Sequence, residues 1–395
     1  MLSSNNNRRE GLAGSGPLRR NCQLESRQRT PHPVRAVAHT HRAGTKGPIP
    51  IIQARTLECL AECLKGTDLK FDDLRAQFGM PDVRLDRDDA FVPLREALMI
   101  EEEISKATGD AYLGLHLAER SGLGALGTHG RYVCAAATLG EAINRANSHV
   151  SDHILGARMW LMRAGPNVLW CYELTPSVVV GRQHSNLFSL VLMRDLVRLA
   201  IGKAWMPNEI LLEGPPQRDR QDLIRAFGCP IGWNGSMTAL AFPRQLLVRP
   251  LLHRAEAQGE LNPIMGNGSS RHHPSEFVDS LKRLVKSLLP AGPLDLPLLT
   301  RLSGLPARSL QRELGALGLS FSTLLDQGRL ELALELMRDP NHSLIDVGME
   351  LGYSDPANFT RAFKRWTGVA PGTYRRVGLK VSYKTESTGA TAAAE

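Results

Sequence analysis

Two stretches of the chain place side chains suited to reading base edges on one side of what their spacing predicts to be helices. In the first, Ala307, Arg308, Gln311 and Arg312 point away from Leu310 and Leu314. In the second, Asp355, Ala357, Asn358, Thr360, Arg361 and Lys364 surround Phe359 and Phe363, an i, i+4 aromatic pair that must face inward. The chemistry fits duplex DNA. An arginine donates to guanine O6 and N7, and the carboxamide of Asn or Gln pairs with adenine N6 and N7. Lys364 and Arg365 offer charge to phosphates, and capped helix N-termini offer amides.

Each reading helix needs a second helix behind it. In 296–314, Gly304 makes a sharp turn, and Leu298, Leu299, Leu302 and Leu305 join Leu310 and Leu314 to close a helix-turn-helix. About 49 residues on, 345–364 repeats the arrangement, with Ser354 expected to cap a helix that has Pro356 in its first turn. Residues 320–338 predict a connecting helix, with Leu324, Leu325, Leu330, Ala333 and Leu336 inward. A rigid connector lets two such helices enter successive major grooves, about 34 Å apart on one face of the duplex. A helical bundle with a charged face would explain one such pattern; two in tandem with matched outward sets favour DNA.

The run Leu351 to Arg375, with Gly352, Tyr353, Asn358, Phe359, Phe363, Trp366, Gly368, Pro371 and Tyr374, resembles the most specific signature of the AraC/XylS family of bacterial transcription regulators. The likeness covers 277–376. It implies base contacts from Arg308, Gln311 and Arg312 in the first motif and from Asp355, Ala357, Asn358, Thr360 and Arg361 in the second. The chain departs from the family with Pro306 in place of a capping Ser, and with Thr300 and Gly348 in place of Ala. Residues 48–253 resemble the arabinose-binding-like N-terminal domain of one branch, through Thr108-Gly-Asp110, Leu113-Gly-Leu115, Thr138-Leu-Gly-Glu-Ala142, Phe227-Gly-Cys-Pro230 and Leu240-Ala-Phe-Pro243. That resemblance implies a domain that senses a small-molecule effector or dimerises, without naming a sugar.

The patterns of this N-terminal part predict an α+β fold rather than an all-β barrel. Helices are expected at 50–64, with Ile51, Leu57, Leu60 and Leu64 on one face, at 93–107, with Glu101–Glu103 partly outward, at 110–119, and at 139–154 behind a Thr138/Glu141 capping box. β-Like runs at 157–163 and 168–175 flank a hairpin turn, a helix follows at 182–203, and short strands fall at 209–213, 229–233 and 239–242. Trp160, Trp170, Tyr172 and Trp233 cluster in the β part and are the candidate lining of an effector pocket, against the plainer reading that they are core. Residues 254–275, rich in Gly, Pro and Asn, predict a flexible linker. The C-terminal domain, 276–377, should be all-α, and 378–395 a disordered tail.

Other motifs carry less. Gly122-Leu-Gly124-Ala-Leu-Gly127 matches a dinucleotide string, but a helical segment precedes it and no acid follows at the right distance. His149, Asp152 and His153 resemble a zinc-hydrolase spacing; a solvated helix face is the alternative, and no third ligand is evident. Cys59 and Cys63, also at i, i+4, read as small hydrophobes. No cofactor is expected.

Composition sets the outer bounds. The 395 residues carry 42% hydrophobic and 22% charged residues, enough for a sizeable core in roughly two or three domains. No apolar run reaches the ~18 residues that cross a bilayer. No signal peptide opens the chain, and six cysteines without a framework fit a reduced cytoplasmic setting. The net charge of +8 is uneven: 1–50 holds nine basic and two acidic residues, and 271–376 holds fourteen and eleven. Residues 1–47 read as a disordered basic extension, with a transit peptide or a mis-assigned start codon as alternatives. The expectation is a non-enzymatic, cytoplasmic, nucleoid-associated regulator of transcription, an activator if it meets RNA polymerase. It would bind double-stranded DNA and a small effector, and pair as a homodimer. A constitutive DNA-binding protein with a dimerising N-terminal domain is the alternative, and zinc-dependent catalysis a more distant one.

Overall fold

The hydrophobic period changes near residue 154 and again near 274, and the architecture changes with it. The computed structural model describes residues 47–65, 67–175, 177–215, 220–235, 237–252 and 274–377. The extension, linker and tail expected from sequence lie outside the described residues, save 47, 274 and 275.

Residues 50–64 do not form one helix. Ile51–Gln53 is strand β1, and helix α1 spans only Glu58–Cys63. β1 lies between β2 (Phe91–Pro93) and β3 (Ile154–Leu155) in an antiparallel sheet, with Ile52 opposite Val92 and Ile154. All three strands are buried throughout, so β-branched residues at consecutive positions satisfy both faces. A short helix, α2 (Phe71–Gln77), fills the connection. β2 runs directly into α3 (Leu94–Thr108), which buries Leu94, Ala97, Leu98, Ile100 and Ile104. Its spacing also turns Glu101 inward, to 7% exposure, where the sequence pattern expects it partly outward.

α4 (Leu113–Ser121) and α5 (Gly127–Cys134) follow, joined by a 3-10 turn over Gly122–Leu126. The glycine string is thus a turn between helices, without the preceding strand a dinucleotide site requires. α6 (Leu139–His153) is capped by Thr138, whose hydroxyl accepts from the Glu141 amide at 3.2 Å. The Glu141 carboxylate takes the Ala137 amide at 2.8 Å, one residue earlier than in a standard capping box.

A second sheet is built from β4 (Ala157–Ala164), β5 (Asn167–Leu174), β6 (Glu209–Glu213), β7 (Ile231–Gly235) and β8 (Thr238–Pro243), in the order β4-β5-β8-β6-β7. Only β6 and β7 run parallel, with α8 (Gln221–Phe227) as their crossover. α6 and α7 (Arg182–Ile201) tie onto one face of this sheet. There the Trp170 indole donates to Asn147 Oδ1 at 2.8 Å, and the Tyr172 hydroxyl meets Ser185 Oγ at 3.0 Å.

From Pro274 onward every element is helical: α9 (Pro274–Leu288), α10 (Leu296–Ser303), α11 (Ala307–Ala316), α12 (Phe321–Leu336), α13 (Leu344–Glu350), α14 (Pro356–Thr367) and α15 (Pro371–Val377). Side-chain oxygens cap four of them, from Asp295, Ser320, Ser343 and Asp355. α9 packs on α12 through Leu281, Leu284 and Val285, all fully buried. Each such side chain contributes about 1.5–3 kcal/mol. Gly328 permits this approach, because a Cβ there would lie 2.8 Å from Val285 Cγ1. The chain is therefore an α+β domain followed by an all-α domain with two helix-turn-helix units.

Candidate nucleic-acid interface

The first unit pairs α10 with α11. Gly304 adopts φ 67°, the left-handed conformation that ends α10 and that a side chain would resist. Leu299, Leu302, Leu310 and Leu314 are buried between the helices, while Leu298 and Leu305 are half-buried. With its apolar face sealed, α11 turns Ala307, Arg308, Gln311 and Arg312 to solvent. Arg312 donates to the buried Glu313 at 3.1 Å. The side chains of Arg308 and Gln311 engage no hydrogen-bonding or ionic partner among the described residues. No hydroxyl caps α11, since Pro306 stands at that position. Its first-turn amides are left for solvent or for an anion.

The second unit pairs α13 with α14. Ser343 and Asp346 form a reciprocal capping box at the start of α13. Gly352, at φ 78°, turns the chain. Sequence spacing assigns the cap of α14 to Ser354; it belongs instead to Asp355, whose Oδ1 accepts from the Ala357 amide at 2.9 Å. Pro356 occupies the first helical position, so the capping residue is the one immediately before it. Phe359 and Phe363 are buried with ring centroids 5.7 Å apart, and Phe363 meets Tyr374 of α15 at 5.5 Å. Gly348 has a packing reason: a Cβ there would sit 3.3 Å from Phe359 Cβ.

Ala357, Asn358, Thr360, Arg361 and Lys364 stay exposed on α14. Arg361 donates to Asn358 Oδ1, which holds the two side chains as one polar unit. The Thr360 hydroxyl donates to the Pro356 carbonyl at 3.0 Å. Lys364 is free of ion pairs among the described residues, but Arg365 is bound to Asp326 of α12 at 2.8 Å. Arg329 adds a second tie from α12, lying 4.8 Å from the Tyr353 ring centroid and donating to the Leu351 carbonyl at 3.2 Å. Arg365 thus positions the second unit, a use that a run of two cations does not reveal.

The four aromatic residues of the β part do not converge. Cross-strand partners share a face, and neighbours along a strand alternate. Trp160 is opposite Cys171, so it lies on the face away from Trp170 and Tyr172. Trp170 and Tyr172 are 1% and 2% exposed beneath α6 and α7. Trp160 and Trp233 are half-buried, each with an arginine over its ring, Arg158 and Arg220 respectively. A cleft of about 560 Å³ lies away from all four, lined by Pro290, Asp339, Asn341, His342, Asp346, Met349 and Glu350.

His149, Asp152 and His153 are likewise committed apart. His149 Nδ1 meets Asp152 at 2.9 Å, while His153 Nδ1 turns inward to Gln53 at 2.9 Å. Burial pushes His153 down to about 3, and its stacked neighbour His129 to about 4. Among the described residues no three His, Cys, Asp or Glu side chains converge on a metal position. His149 and His153, one turn apart on α6, thus face different partners, which their spacing alone does not reveal. The five described cysteines are unpaired: Cys171 is buried, and Cys59, Cys63, Cys134 and Cys229 are half-buried. No described helix is long and apolar enough to cross a membrane.

Residues 69–251 match the family model described as the arabinose-binding domain of AraC transcription regulator, N-terminal, and residues 299–377 match a helix-turn-helix domain model. The chain is 26% identical to the ornithine utilization regulator of Pseudomonas aeruginosa over 335 residues, covering 83% of this chain and 96% of that protein. It is 27% identical to the HTH-type transcriptional regulator VirS of Mycobacterium tuberculosis over 321 residues, covering 76% and 89%. Among solved structures, the transcriptional regulator CdpR from Pseudomonas aeruginosa aligns at 20% identity and TM-score 0.32, covering 77% of this chain and 96% of that one.

Proposed function

Because this chain is an AraC/XylS-type transcriptional regulator that binds specific DNA sequences, we propose that α11 and α14 each enter a major groove. Arg308, Gln311 and Arg312 read bases from the first, and Asn358, Thr360 and Arg361 from the second. Ala307 and Ala357 keep the helix close to the groove floor, where an alanine methyl can meet thymine. Lys364 takes a phosphate. Asp355 acts through the cap it forms, by fixing where α14 begins. One observation carries this assignment: every one of these base-reading side chains is exposed on a helix whose opposite face is sealed by buried Leu or Phe.

The N-terminal domain, 48–253, senses a small metabolite and pairs the chain as a homodimer, and 276–377 delivers it to DNA in the cytoplasm. Where it activates, RNA polymerase is the partner. The likeness of 69–251 to a ligand-binding domain model supports the sensing role. Of the aromatic candidates Trp160, Trp170, Tyr172 and Trp233, the first and last retain surface to offer a ligand.

The test is fluorescence anisotropy of the full chain on duplexes tiled across the DNA upstream of its own and neighbouring genes, at several salt concentrations. One tile should bind about 10³-fold or more above the rest. Uniform, steeply salt-dependent binding would overturn the base-reading assignment. A metabolite panel read by melting temperature separates a sensor, which shifts with one compound, from a constitutive dimer, which shifts with none.

A further inference from the structure

α9 is the first helix of the DNA-binding domain, yet its polar side chains serve the sensor domain. Ser280 Oγ accepts from the Ile49 amide at 3.0 Å, and Ser287 Oγ accepts from the Phe91 amide at 2.7 Å. Both hydroxyls are buried, and each donates back to its own helix, to Phe277 and Arg283 carbonyls at 2.7 Å. The spacing is matched. Seven helical residues advance about 10 Å. Ile49 lies two residues before β1 and Phe91 faces Gln53 at the far end of the β1–β2 ladder, and four extended residues span about 13 Å. Thus α9 lies along the sheet and staples it at both ends.

Charged groups lock the same surface. Lys286 bridges Asp89, at 2.9 Å, and Glu335 of α12. Arg87 holds Asp89 through two bonds of 2.9 Å and reaches Glu335 at 3.7 Å. Arg283 donates to the Ser151 carbonyl at 3.1 Å and lies 5.2 Å from the Phe91 ring centroid. Farther out, Arg301 of α10 donates to the Gly79 carbonyl at 3.0 Å. Gly79 adopts φ 65°, a left-handed conformation that a side chain would resist.

We infer that this β1–β2–α9 clasp is the mechanical coupling between the two domains, with Lys286 as its hub. Three features make it a coupler rather than a covering. It leaves every proposed base-reading side chain exposed. On the sensor side it grips β2, which continues without a break into α3. On the other side it grips α12, the helix that joins both helix-turn-helix units. A displacement of β2 therefore moves both reading helices together.

The coupling is measurable as linkage: a ligand of one domain stabilises the other only while the clasp is closed. The full chain is melted by calorimetry with and without a generic duplex of about 30 base pairs at low salt. The wild type should melt in one transition that the duplex raises as a whole. The double variant Lys286→Met/Arg301→Ala should show two transitions, of which the duplex raises one. Hydrogen exchange gives a second readout that needs no DNA, with the Ile49 and Phe91 amides exchanging at least about tenfold faster in Ser287→Ala or the double variant. A wild-type sensor transition that the duplex leaves unmoved, or a double variant that still melts as one shifted unit, overturns the clasp. So does unchanged exchange at both amides. If the duplex shifts nothing even in the wild type, DNA binding has failed, and the exchange rates alone decide the clasp.

Discussion

Glu101 should make the stability of this protein fall as pH rises through neutrality. Its carboxyl sits in the interior on α3, and burial first, with the neighbouring Glu102 second, pushes it from 4.5 up to about 8. A folded-state value above the unfolded one means the native state holds its proton longer. The stabilisation is therefore fully present below about pH 4.5 and is lost as pH climbs toward 8, at about 1.4 kcal/mol per pH unit. Two buried imidazoles oppose it at the acid end. His153, down to about 3, and His129, down to about 4, cost stability as pH falls below 6.5. The unfolded-state titration of His153, His129 and the similarly lowered His184 near 6.5 overlaps the window from 6.5 to 8, so Glu101 is isolated by comparison with a variant, while the buried thiols Cys59 and Cys171, pushed up to about 12, matter only in alkali. Across that window the expected loss is about 2 kcal/mol. Glu101→Gln keeps the shape and removes the proton. Urea unfolding of both proteins at pH 6.5, 7.25 and 8 should show the wild type losing about 2 kcal/mol relative to the variant, the histidine contribution being common to both. Parallel lines for the two would refute the reasoning, since Glu101 would then titrate as it does in the unfolded chain.

The interface allows three shorter predictions. Arg312→Ala should cost about 1–3 kcal/mol on a preferred duplex and relax preference at one or two base pairs; an equal loss on every sequence, measured by anisotropy, would make Arg312 a phosphate contact. Lys364→Ala should weaken all duplexes alike and reduce the slope of log affinity against log salt by about one, so an unchanged slope would place Lys364 away from the backbone. Asp355→Ala removes the α14 cap and should lower unfolding free energy by about 0.5–2 kcal/mol; no loss in a denaturant titration would mean that the Ala357 amide finds another acceptor at no cost.

What the sequence made legible was whatever repeats within a dozen residues. The 3.6-residue period placed α6, α7 and both helix-turn-helix units to within a few residues, and the alternation of β4 and β5 with their Gly-Pro turn placed the hairpin. The small sheet escaped because its strands are two or three residues long and come from 51, 91 and 154, so no local pattern announces their pairing. Glu101 escaped for a different reason. Charge predicts exposure, and only the helical period of α3, which puts Glu101 on the same inward face as Ala97, Leu98 and Ile104, says otherwise. Ser280 and Ser287 carry no local signal of their role, since their oxygens accept from amides 231 and 196 residues away. The exposure of the proposed base-reading side chains was legible, since it follows from the burial of Leu310, Leu314, Phe359 and Phe363 beside them.

Net charge alone would misplace the proposed DNA surface, because the cations of the C-terminal domain include two contrasting populations. Arg283, Lys286 and Arg301 are held by the sensor domain, and Arg329, Arg365 and Arg375 by partners inside the helical domain. Each gives up side-chain entropy to fix one element against another, and a phosphate would compete with that contact for it. Arg308 and Lys364 keep their hydration and their freedom, on the two helices whose polar faces are open. Counterion release on binding DNA depends on cations free to approach phosphates. The salt dependence of binding should therefore track the second population and be smaller than fourteen basic residues in 271–376 would suggest. The paired cations set the geometry that the free ones use.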